Sequence, residues 1–190
     1  MALVSVAVLL TASTISFACA CCADQGQYDV FTGSPAKHQL ELLKDMHIGA
    51  TPQLYMTDGG DGPLGIGDLG FDDLSLVDVY TNNIWKITIK NHAGNAGTLV
   101  LPRPAKMTTK KIDLHDKKEG DPSLYKEWSF EGTVTSGGGV FKTGVIAPTK
   151  YTLVFQGRGN NCDNAEDFTH WRLEVKGRKA NYAFFGKLGI

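Results

Sequence analysis

Residues Ile84 to Lys90 alternate strictly, with Trp85, Ile87 and Ile89 on one parity and Lys86, Thr88 and Lys90 on the other. Successive side chains of an extended chain point to opposite faces, so a β-strand puts all three apolar groups in a core and all three polar ones in water. The same parity recurs further along. Trp128, Phe130 and Val134 oppose Ser129, Glu131 and Thr133; Tyr151, Leu153 and Phe155 oppose Thr152, Val154 and Gln156; Trp171, Leu173 and Val175 oppose Arg172, Glu174 and Lys176. Further candidates are Gln53 to Thr57, Leu74 to Tyr80, Thr98 to Leu101, Met107 to Leu114, Val140 to Ile146 and Asn181 to Lys187, about ten strands in all.

One segment reads differently. Pro35 to His47 carries Leu40, Leu43 and Met46 or His47 on one helical face, with Ser34 as cap, Pro35 at the first position and Gly49 as the stop. The strands are linked by Thr81-Asn82-Asn83, Gly94 to Gly97, Ser136 to Gly139 and Gly177 to Ala180, short turn-rich pieces that favour antiparallel pairing of neighbours. With 22 Gly and 7 Pro among 190 residues, a helical bundle is excluded. The expected fold is all-β: an antiparallel barrel, or a two-sheet sandwich, of about ten short strands with one N-terminal helix. The barrel is preferred because the hairpins succeed one another without an evident crossover.

Met1 to Ala23 contains no charged residue, and Ala2 to Leu10 is an apolar run followed by small and hydroxyl residues. That is the layout of a secretory signal, although the usual positive start is missing. Cleavage after Ala20 starts the chain at Cys21, and cleavage after Ala18 starts it at Cys19. Residues 1–20 are therefore assigned to the signal and 21–190 to a single β-domain, secreted or periplasmic, with no later membrane span. Export makes a disulfide the first expectation for the cysteines, with Cys21 or Cys22 joined to the distant Cys162. The alternative is a soft metal held by the C-x-C-C cluster, which supplies too few ligands on its own.

Thr57 to Tyr80 holds six Asp and no Lys or Arg. It matches G-x-G-x-x-G at Gly60, Gly62, Gly65 and again at Gly65, Gly67, Gly70, but a strand follows and the surrounding charge would repel a pyrophosphate. No cofactor is expected. Ca²⁺ is the one ion that Asp58, Asp61 and Asp68 would suit chemically, yet they lack the ligand rhythm of a calcium loop. A second metal candidate is Asp163, Glu166, Asp167 and His170, which share one face if Asn161 to Thr169 is helical. Basic residues gather at Arg103 to Lys118 and Arg172 to Lys187, where alternation makes them a solvated face.

A net charge of -1 gives no reason to expect nucleic acid as a partner. No G-x-S-x-G or H-E-x-x-H stands in the chain. The expected role is non-catalytic binding of a small molecule or a protein partner, in the interior or mouth of the barrel, with Trp85, Trp128, Tyr151, Phe155 and Trp171 lining a hollow if they do not, as is commoner for such residues, simply fill the core. Two rivals are carried. One is a metal-assisted extracytoplasmic hydrolase using either acidic cluster; the other is an envelope or extracellular structural or interaction module.

Overall fold

The computed structural model describes residues 21–49, 51–55, 62–70, 73–116 and 123–189. Twelve strands are found among them: β1 (Tyr28–Gly33), β2 (His47–Ile48), β3 (Gln53–Tyr55), β4 (Ser75–Thr81), β5 (Ile84–Lys90), β6 (Ala96–Pro102), β7 (Met107–Ile112), β8 (Leu124–Thr133), β9 (Ser136–Gly139), β10 (Thr149–Gly159), β11 (Phe168–Gly177) and β12 (Ala180–Gly189). A single helix, α1 (Lys37–Asp45), follows β1.

The strands form two antiparallel sheets and no closed barrel. An eight-stranded sheet runs β1-β7-β8-β10-β11-β12-β2, with β3 also on β12, and a four-stranded sheet runs β4-β5-β6-β9. Of the two architectures the alternation permits, the sandwich is the one formed. The preference for a barrel fails because the chain changes sheet between β3 and β4, β6 and β7, β8 and β9, and β9 and β10. Consecutive strands do pair where the links are tight. Asn82 and Asn83 both adopt positive φ, 51° and 60°, which matches the right-handed twist of the β4–β5 hairpin.

Alternation puts Trp85, Ile87, Ile89, Leu99 and Leu101 of the smaller sheet against Trp128, Phe130, Leu153, Phe155, Trp171 and Leu173 of the larger. The Trp85 ring lies 5.2 Å from Phe130 and 6.4 Å from Phe155, edge-on to both. These contacts are the seam between the sheets. α1 brings Leu43, with Met46 just after it, onto the same core.

Two expectations about elements are corrected. Val140 to Ile146, read as a strand, forms turns, and Ser136 to Gly139, read as a turn, is β9. The helix is shorter than Pro35 to His47: its N-cap is Ala36, which has no capping side chain, so the Gln39 side chain accepts the Ala36 N–H at 2.9 Å instead of Ser34 doing so. His47 has already joined β2.

Candidate functional site

The outward face of the larger sheet carries two adjoining depressions. Residues directly opposite in an antiparallel pair share a face, so Gln156 on β10 stands between Glu127 on β8 and His170 on β11, and Arg172 stands beside Phe185 on β12. One depression, of about 430 Å³, is lined by Tyr125, Gln156, Gly157, Arg158, Thr169 and His170. The second, of about 260 Å³, is lined by Gln156, His170, Trp171, Arg172 and Phe185. Gln156 and His170 belong to both.

The charges around them are internally matched. Lys110 and Tyr125 both donate to the Glu127 carboxylate, at 2.7 and 2.6 Å. Burial, then the hydrogen bond and charge of Glu127, push the Tyr125 phenol well above its ordinary pKa, so it stays a donor. Arg158 pairs with Asp116 through both terminal guanidinium nitrogens, and Arg172 reaches Glu174 at 2.9 Å. Thr169 Oγ1 and His170 Nδ1 lie 2.9 Å apart. Phe185, 39% exposed, adds an apolar patch to this polar surface. Such a face offers hydrogen bonds and a ring surface to a ligand without a strong net charge.

Cys21 is bonded to Cys162, with 4.8 Å between their Cα atoms. Cys22 is exposed. Next to the disulfide lies a lysine that the sequence reading did not single out. Lys126 is 1% exposed, on the inward parity of Trp128 and Phe130, and it donates to the Cys162 carbonyl and to Asp167 at 2.7 Å. Its ammonium also sits 5.5 Å from the centre of the Phe168 ring. Lys111 lies 3.0 Å from Asp163, and Gln39 of α1 donates to the same carboxylate at 2.9 Å. Burial acts to raise the Asp163 pKa, but the Gln39 and Lys111 bonds and the Lys111 and Lys126 charges outweigh it and hold it below the ordinary aspartate value.

Asp163, Glu166, Asp167 and His170, the second set of metal candidates, are not brought together on one face. Only Ala165–Asp167 turns, as one 3-10 turn, because Asn164 is extended before it and Phe168 opens β11 after it. Asp163 and Asp167 meet over Lys126, whereas Glu166 is exposed and His170 lies on the opposite face of the sheet. Two carboxylates already neutralised by two lysines are poor ligands for a cation. Of the other candidate set, Asp58 and Asp61 lie outside the described residues, and Asp68 is exposed, its carbonyl accepting from Asn91 and Asn95. No group of three or more His, Cys, Asp or Glu among the described residues is placed to hold a metal ion.

The five aromatics proposed to line a hollow are all buried, at 1% exposure or less. Trp85 and Phe155 meet at the seam between the sheets, Trp128 packs on Phe168 at 4.6 Å, Tyr151 donates its hydroxyl to the Pro102 carbonyl, and Trp171 stands opposite Gly186. Tyr151 and Trp171 also reach the walls of surface depressions. With no barrel there is no barrel mouth. Sequence reasoning missed Tyr125, Gln156 and Phe185 as a shared outward face because that requires the β8–β10–β11–β12 register, which no single strand carries.

No helix among the described residues is long and apolar enough to cross a membrane. No family model, curated protein or solved structure matches the chain.

Proposed function

We propose that the chain is an exported, non-catalytic binding domain, secreted or periplasmic, whose ligand lies on the outward face of the larger sheet. The observation that carries this reading is the pair of depressions joined at Gln156 and His170, with Tyr125 at one end and Phe185 at the other. Paired hydrogen-bonding side chains beside an apolar ring suit a small polar molecule with one apolar face, the character of a saccharide ring. The uncharged run from Met1 to Ala20 and the Cys21–Cys162 disulfide support export. The hydrolase reading loses support where Asp163 and Asp167 are taken up by lysines.

The test is native mass spectrometry of the exported protein, followed by amide-resonance titration with a panel of mono- and oligosaccharides. The expected result is binding whose shifts map to β10, β11 and β12 and which is abolished in the double variant Gln156→Ala, His170→Ala. Binding indifferent to that double variant, or a bound metal whose chelation abolishes a detected hydrolysis, overturns the reading.

A further inference from the structure

We infer that β1 is the pairing edge of a two-fold dimer, in which two copies of this chain join their larger sheets antiparallel through Tyr28–Gly33. In the described residues β1 pairs only with β7 and ends the sheet. It is exposed on both faces nearly throughout: Tyr28 is 72% exposed, Phe31 65% and Val30 48%. Three large apolar side chains on one edge strand are a cost in a monomer and a contact in a dimer.

The other described edges are protected. β2 and β3 are two and three residues long, β9 is a short stretch rich in glycine, and β4, although it exposes Val77 and Val79, points Asp78 inward on the parity of Leu76, a device that spoils foreign pairing. Burial raises the Asp78 carboxyl above its ordinary pKa even though the Ile48 backbone and His47 act to lower it, which marks the cost of that placement. β1 has none of these devices. It spans six residues with no Lys, Pro or bulge, and its register with β7 is unbroken.

The register also suits a second copy as occupant. Asp113 N–H donates to Gln27 O at 2.8 Å, so in the alternating ladder the odd residues Asp29, Phe31 and Gly33 bond to β7. The N–H and C=O of Tyr28, Val30 and Thr32 therefore face the open edge. A two-fold axis perpendicular to the sheet at Val30 brings these groups together: Val30 meets Val30 of the second copy, Tyr28 meets its Thr32, and Asp29 meets its Phe31. All the edge-facing groups of the strand then find partners and no like charges stand opposite one another. The interface is isologous and closes at two copies.

Sedimentation velocity over a broad concentration range tests this on the exported, disulfide-bonded chain, compared with Val30→Lys and Val30→Pro. Val30→Lys sets two ammonium groups opposite each other at the axis, and Val30→Pro removes an edge-facing N–H without touching the β7 ladder. A reversible dimer is expected for the unaltered chain, weakened about tenfold or more by either change, while circular dichroism and melting temperature stay those of the parent. A chain that is monomeric throughout, or a dimer that survives both substitutions in folded protein, overturns the inference; the latter outcome includes a covalent dimer through Cys22 or a different face.

Discussion

Asp163 shows what single residues contribute here. Its carboxylate is held by Gln39, Lys111 and, at longer range, Lys126, so helix, sheet and disulfide loop meet at one group. Because its folded-state pKa lies below the unfolded value of about 3.9, the stability it contributes is fully present above that value and drains as pH falls through the lower folded one. Denaturant midpoints measured from pH 7 down to pH 2 should fall along that acid limb, and Asp163→Asn should lower the midpoint at pH 7 while flattening the limb. An unchanged acid limb would remove Asp163 from this role. The partner lysine was legible: counting back by two from Phe130 and Trp128 lands on Lys126, an inward-facing lysine that must find a carboxylate. Which carboxylate was not legible, because Asp163 and Asp167 arrive from a loop whose path is set by the Cys162 bond and by Asn161 accepting from Lys111.

Among the elements, those with clean alternation were readable in position and facing, though not always in length. β5 is Ile84–Lys90 as the parity requires, and β10 and β11 extend the expected segments at both ends. β1 was invisible because a strand exposed on both faces has no buried parity to betray it; only β7 makes it a strand. β9 was misread because glycine clusters ordinarily mark turns. Here Gly137, Gly138 and Gly139 lie along β6, and a side chain has no room at two of them: a Cβ on Gly137 would stand 2.6 Å from Val145, and Gly139 has φ 58°, with a Cβ on it 2.0 Å from the Ala96 carbonyl oxygen. Gly139→Ala should therefore cost about 1–2 kcal/mol from the backbone conformation alone, and more from the clash, measured as a lower denaturant midpoint with β9 amides losing hydrogen-exchange protection first. An unaltered midpoint would show that β9 can leave β6 without penalty.

At the scale of the molecule, parity fixed that there would be a core between sheets but not how many sheets there would be. Barrel and sandwich make the same demands on each strand; they differ in the links, and Val134 with Thr135 carries the chain from one sheet to the other without any turn signal that stands out. The disulfide was anticipated from export and spacing, although the choice of Cys21 over Cys22 rests on the path of residues 21–27 along the Asn161 loop, where Asn161 N–H donates to Cys21 O at 3.0 Å and Gln27 reaches the Asn161 side chain. In the chain-entropy account a closure of 141 residues contributes about 4–5 kcal/mol. Cys162→Ser should lower the unfolding midpoint by that order, and the parent should become reductant-sensitive while the variant does not; equal midpoints for the two would deny the bond a stabilising role. The same bond imposes a schedule on the newborn polypeptide. Cys21 emerges 141 residues before Cys162, on the order of ten seconds earlier at ordinary rates of synthesis. During that interval its thiol waits beside neighbours with which it must not settle, while β4 to β8 are already synthesised and free to pair. β11 and β12 follow Cys162 in the chain, so the second thiol becomes available to Cys21 while the larger sheet still lacks two of its long strands.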